Sequence, residues 1–179
     1  MLRDQITQLQ TTQFELTQWT NAPMQLEKVA QLNWPADCLF DLMANHNKWP
    51  RIFPWLTNVT IDNSEAIIAD GLGAVRTCDM GNGMVLEEVI VGWLPPHMYA
   101  YAGLDQTHPF GMQHHVGVII CKPINAETTR LRWQHYFNHA NPAAMREQLD
   151  SSLSAAMQSL INNCGGFVET TNFYKETRK

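Results

Sequence analysis

Arg76 lies on the first arm of a hairpin, residues 74–80 against 84–93, with Asn82-Gly83 between the arms. Asn-Gly is a strong two-residue hairpin signal, since both residues tolerate positive φ. A two-residue loop sets Arg76 opposite Val89 and Cys78 opposite Glu87, so all four share one face. That face also carries Ala74, Met80, Val85, Val91 and Trp93 and is mostly apolar; Thr77, Asp79 and Glu88 fall on the wetter side. Arg76 and Glu87 thus form a charged diagonal pair on an apolar face. A lone arginine is too costly to bury. Arg76 either pairs with Glu87 or awaits an acidic or carbonyl-bearing ligand, where it could stabilise charge developing on an oxygen. A bulge would exchange Glu87 for Glu88.

The segment 128–139 alternates Leu131, Trp133, His135 and Phe137 with Arg130, Arg132, Gln134 and Tyr136. The first set points to the core and the second outward. With a four-residue loop at 124–127, Val116 and Val118 share the inner face with Trp133 and His135, His114 points inward and His115 outward. His135 is then a ligand contact or a general acid/base. The alternative is a neutral buried histidine bonded to a backbone carbonyl.

Other chemistries fail on spacing. His135 and His139 are four apart on a strand, which does not bring them together, and adding His114 completes no zinc ligand set. Neither a metal nor a cofactor is expected. Cys38 has no histidine tied to it by any signature. Gly71-Leu72-Gly73 lacks the serine of a nucleophile elbow and the third glycine of a dinucleotide fingerprint. Cys38, Cys78, Cys121 and Cys164 show no C-x-x-C spacing and read as small buried residues. A net charge of −5 with scattered Lys and Arg disfavours nucleic acid and anionic membrane. No apolar run approaches the roughly 20 residues of a membrane span. Without a signal-peptide pattern, the expected setting is the reducing cytoplasm. A homo-oligomer is compatible with all of this.

The elements that must position these residues follow from periodicity. Strands are expected at 25–33, 55–62, 74–80, 84–93, 98–105, 112–122 and 128–139. A helix starts at Pro35, with Leu39, Phe40 and Met43 on one face. Asn141-Pro142 opens a long helix that ends before Gly165-Gly166 and carries Met145, Leu149, Leu153, Ala156, Leu160 and Cys164 as one stripe. At 1.5 Å per residue it is about 35 Å long, enough to cross a sheet. Hairpins followed by a long helix predict an α+β fold. Residues 1–24 read as an N-terminal extension, 25–168 as the domain and 169–179 as a polar, frayed tail. The extension is either a segment packed on the body, a partner surface or a loose terminus.

The proline-started helix, Trp49-Pro50, Gly71-Leu72-Gly73 before Arg76, Glu87-Glu88, Trp93-Leu94-Pro95-Pro96 and Tyr101 carry a likeness. From about Leu26 to Gly166 the chain resembles the polyketide cyclase/dehydrase and START-like lipid-transfer superfamily. The resemblance implies a helix-grip fold, a curved antiparallel sheet around the C-terminal helix. In the aromatase/cyclase branch an arginine follows a similar glycine-bearing turn, and Arg76 is the matching position. The family's acidic position aligns with Glu88. Such a fold leaves a gap lined here by Val89, Val91, Trp93, Val116, Val118, Trp133, Phe137, Leu153, Met157 and Leu160. Arg76, Glu87, Tyr101, His114 and His135 interrupt it. Two functions follow. One is a carrier for a small hydrophobic molecule (lipid, quinone or polyketide-like aromatic), with residues 104–111 as a lid. The other is a cyclase or dehydratase with Arg76 as electrophile and His135 or Glu87 as acid/base.

Overall fold

Among the described residues, eight strands form one antiparallel sheet: Met24–Leu32 (β1), Asn58–Asp62 (β2), Val75–Asp79 (β3), Val85–Leu94 (β4), Met98–Gly103 (β5), Gln113–Asn125 (β6), Thr128–Asn138 (β7) and Gly166–Phe173 (β8). Their order is β2-β3-β4-β5-β6-β7-β1-β8. The computed structural model describes residues 14–174. Register shifts at Met24/Leu26, Ile90/Gly92 and Gln113/Val116 mark bulges, the local devices that bend and twist strands into a curved sheet. Among the described residues, three α-helices complete the fold, Ala36–Ala44 (α1), Trp49–Ile52 (α2) and Pro142–Cys164 (α3), with short 3-10 turns at Leu16–Gln18 and His46–Lys48. This is the α+β helix-grip architecture that the order of elements predicts.

The long helix is punctuated as its sequence requires. Asn141 Oδ1 accepts from the Ala144 N–H, and the Gly165 N–H closes the last turn on the Ile161 carbonyl. Its stripe of Met145, Leu153, Ala156, Met157 and Leu160 is buried. Lys28 of β1, also buried, donates to Ser154 Oγ at 2.6 Å and faces the Asp150 carboxylate at 2.6 Å, which ties helix to sheet. The inner core joins this stripe to Leu39, Phe40 and Met43 of α1 and to Ile90, Tyr99, Ile119 and Trp133 of the sheet.

A second apolar cluster occupies the other face of the sheet. Leu72, Val89, Val91, Ala100, Val116 and Val118 lie there under Phe14, Leu16 and Trp19. The described part of the N-terminal extension is therefore packed on the body. Residues 1–13 of it, and 175–179 of the polar tail, lie outside the described residues. The expected frayed tail also begins too early: residues 169–173 continue β8, which pairs with β1 from Leu32↔Gly166 to Leu26↔Phe173. Polar side chains hid this strand, because an edge strand half open to water needs no apolar face.

Both hairpin registers differ by one residue from expectation. Gly81, Asn82 and Gly83 all have positive φ, and Met80 N–H bonds the Met84 carbonyl across them. The loop has three residues, so Arg76 pairs with Glu88 and Cys78 with Leu86. In the other hairpin Asn125 pairs with Thr128 and the strand shifts between Pro123 and Asn125, so Gly117 faces His135 and Ile119 faces Trp133. A one-residue slip turns every side chain to the opposite face.

Leu153 is central to the helix contact and is 2% exposed. Leu153→Asp places an unpaired carboxylate in this core and should cost on the order of 3–5 kcal/mol. Thermal melting should then fall by roughly 10 °C or more. A variant that melts like the parent would remove α3 from the core.

Candidate functional site

Arg76 is fully buried, and every face of its guanidinium is occupied. Nε and Nη2 donate to Glu88 Oε2 at 3.0 and 2.5 Å, and Nη1 meets His46 Nδ1 at 3.1 Å. The Trp49 ring lies 3.7 Å from the guanidinium carbon and the Tyr101 ring 4.6 Å, so aromatic faces cover the cation. Burial works against the charge, but the Glu88 carboxylate outweighs it and raises the arginine's pKa further. Burial and the neighbouring Arg76 charge hold His46 neutral, down to about 2, with the Asp70 backbone opposing. His46 can therefore accept from Arg76. The cation is satisfied internally.

Beside this network, between sheet and α3, is a cavity of about 120 Å³. Trp49, Phe53, Tyr101, Trp133 and His135 form its aromatic walls. Phe110 and Met112 close one side, and Leu149 and Leu153 come from α3. Gly117 makes room for the wall: a Cβ there would lie 2.1 Å from Tyr101 Cζ, so only glycine lets that ring rest on β6. Tyr101 OH in turn accepts from Trp133 Nε1 at 2.8 Å. A larger groove of about 780 Å³ runs beside α1, past Asp41, Asn45, Lys48 and Asp70. Its charged rim suits water, so the inner cavity is the better apolar site.

Three histidines run along the cavity wall. His108 Nε2 meets His115 Nδ1 at 3.1 Å, and His115 Nε2 meets His135 Nδ1 at 3.0 Å. His115 and His135 are stacked 5.3 Å apart, and Trp133 stacks on His135 at 5.9 Å. His108 Nδ1 and His135 Nε2, the two ends, are buried without a partner. Burial lowers His135 to about 3; it lowers His108 to about 4 against the opposing charge of Asp105. His115 is pushed well down by burial and then by its histidine neighbours and Arg76. All three are neutral imidazoles at pH 7. Burial thus takes His135 out of the near-neutral range in which an exposed histidine acts as an acid/base.

The structure brings together Arg76, Tyr101, Trp133 and His135, and Leu153 borders the same cavity. Met157 is buried in the core behind it. The rest are displaced by the register slips. Glu87 points away from Arg76 and accepts from Thr107 Oγ1 at 3.3 Å; Glu88 holds the inner position. Val89 packs on the outer face with Val91, Val116 and Val118. His114, at φ 53° in the β6 bulge, has its side chain 62% exposed beside Asp105, and His115 faces inward instead. His46 and His108 carried no periodic signal because they sit in a turn and a loop. Among the described residues no group of three or more His, Cys, Asp or Glu is arranged to hold a metal ion. No helix among them is long and apolar enough to cross a membrane.

The family model for polyketide cyclase / dehydrase and lipid transport matches residues 23–165. The chain belongs to this family. Solved structures share its fold. XoxI from Bacillus cereus superposes with a TM-score of 0.66 at 14% identity, over 79% of this chain and 96% of that one. The ZhuI aromatase/cyclase from Streptomyces sp. R1128 gives 0.59 at 20% identity, over 79% and 93%. Norcoclaurine synthase from Thalictrum flavum, in complex with dopamine and hydroxybenzaldehyde, gives 0.58 at 12%, over 85% and 92%. No curated protein matches the sequence. Family membership fits hydrophobic ligand binding or polyketide cyclase activity.

Two measurements test the site's electrostatics. Arg76→Met strands Glu88 in the interior and should cost about 3–5 kcal/mol, whereas Arg76→Met with Glu88→Leu should recover most of it. Additive losses in that cycle would dissolve the pair. The histidines fix a pH dependence as well. Unfolded, each titrates near 6.5 (roughly). Below that the unfolded chain binds protons that the folded chain refuses, so stability falls as pH falls. The slope reaches about 1.4 kcal/mol per pH unit for each histidine, down toward the folded values. The urea midpoint should hold from pH 8 to 7 and decline from pH 6 to 4. An unchanged midpoint over that lower window would mean that the histidines are solvated.

Proposed function

We propose that the chain binds a small hydrophobic molecule of single-ring size in the cavity between sheet and α3, as a carrier or sensor of that ligand. The observation that carries this reading is an aromatic cavity of about 120 Å³ whose histidines are neutral and whose carboxylate, Glu88, is held by Arg76, an arginine with no free face. Pockets for drug-sized ligands usually span roughly 300–1,000 Å³. A single ring or a short chain segment fits as the protein stands. A larger lipid, quinone or polyketide requires the 104–111 loop, which carries His108 and Phe110, to swing away. A carrier needs only this apolar volume and a movable cover. Arg76 cannot polarise a substrate oxygen without leaving Glu88, His46 and two aromatic faces, which argues against it as electrophile. A cyclase in this chain would draw on Tyr101 and His135.

The reading predicts saturable uptake of single-ring aromatics, with Kd between about 1 mM and 1 μM, or roughly −4 to −8 kcal/mol. Quenching of tryptophan fluorescence reports it, since Trp49 and Trp133 line the cavity. Leu149→Trp fills the space from the half-buried end of the helix stripe and should weaken binding at least about tenfold while the fold persists. Equal binding by parent and filled variant would place the site elsewhere. Mass spectrometry of the ligand after incubation separates the functions: an unchanged mass supports a carrier, and loss of water identifies a dehydrating cyclase.

A further inference from the structure

Three neutral imidazoles own three N–H groups between them. His108, His115 and His135 share two N···N contacts, at 3.1 and 3.0 Å, and each such contact holds one hydrogen. Two hydrogens are thus committed, and the third must sit at one end of the chain. Only two arrangements satisfy both contacts. In one, His108 Nε2–H donates to His115 Nδ1, His115 Nε2–H donates to His135 Nδ1, and His135 Nε2 carries the spare N–H. In the other both bonds reverse: His135 Nε2 presents a lone pair and His108 Nδ1 carries the N–H. Neither end has a protein partner, and His135 is 3% exposed. A buried polar atom without a partner is a cost that a bound group can remove.

We propose that this chain is a reversible hydrogen-bond relay which lets one site recognise both hydrogen-bond-donating and hydrogen-bond-accepting single-ring aromatics, with His135 Nε2 as the contact. An aryl hydroxyl meets the lone pair of the second arrangement. An aryl carbonyl or nitrile meets the N–H of the first. In the switch each contact hydrogen crosses to the neighbouring ring, the spare proton leaves one end of the chain to water and water supplies one at the other end, so no net charge is left in a site that disfavours charge. The far end answers in the opposite sense: a hydroxyl ligand at His135 leaves His108 Nδ1 as donor, and an acceptor ligand leaves it bare. His108 sits between β5 and β6 on the loop that covers the cavity. The chemical type of the ligand is thereby reported at the cover. This inference rests on the cavity as the binding site.

The test uses the unaltered protein with 15N-labelled histidine and three probes of similar shape: phenol, benzonitrile and toluene. Histidine 15N shifts distinguish the two neutral tautomers. The expected result is that phenol and benzonitrile bind within about threefold of each other and drive His108, His115 and His135 together into opposite tautomer sets. His108→Glu supplies a fixed acceptor to His115 Nδ1, which locks His135 Nε2 as a lone pair. That variant should bind phenol at least about tenfold more tightly than benzonitrile, about 1.4 kcal/mol of preference. If toluene binds and the tautomers stay fixed with either polar probe, or His135 alone responds, the relay is wrong and the cavity reading stands. If none of the three binds, both fall.

Discussion

A guanidinium in a dry interior is tolerable only when every donor and both faces find partners, and the architecture around Arg76 is organised to supply them. Glu88 comes from β4, His46 from the turn after α1, Trp49 from α2 and Tyr101 from β5. Each partner pins a different element to the same charge. Removing one leaves a cation or a carboxylate buried alone, which is why such pairs are costly to break even where their net contribution to stability is small. The aromatics serve twice. Trp49 and Tyr101 cover the cation on one side and form the cavity wall on the other.

Because the charge is neutralised within the fold, the adjoining cavity meets a ligand with neutral imidazoles and with a carboxylate, Glu88, that Arg76 already holds. The low-polarity surroundings oppose charge on arginine and histidines alike; the Glu88 carboxylate outweighs them for Arg76, and burial prevails for His135. One medium thus sorts its basic groups: the guanidinium stays charged through its carboxylate, and the imidazoles, without one in contact, stay neutral. A rigid aromatic wall beside a neutral hydrogen-bonding chain is already arranged for an apolar ligand with a single polar group, and little ordering remains to oppose binding.

The two faces of the sheet do different work. The inner face holds the helix, the cavity and the charge network, and the outer face is closed by Phe14, Leu16 and Trp19 of the N-terminal extension. Val89 and Val116 belong to the outer layer through registers decided by a three-residue turn and by slippage near Pro123. Glu88 and His115 reach the inner layer by the same two slips. One backbone detail at each hairpin therefore chooses which of two neighbouring residues meets the site.

Helix and strand periods, the Asn141-Pro142 start of α3, the Gly165 stop and the spacing of Leu153 and Leu160 were legible in the chain, because they depend on local dihedral preferences and on the sum of apolar contacts. Arg76, Trp133 and His135 were legible as inward residues for the same reason, and Tyr101 through the family resemblance. The partners of those residues were not. Whether Glu87 or Glu88 meets Arg76, and whether His114 or His115 meets His135, turns on a single residue of register, which alternation cannot fix when adjacent residues have the same chemistry. His46 and His108 lie in segments without a period, and β8 has too polar a surface to announce itself. Local sequence determined the elements and the residues that had to be buried. Tertiary structure decided which buried groups share charge and hydrogens, since those bonds form only after distant strands are set side by side.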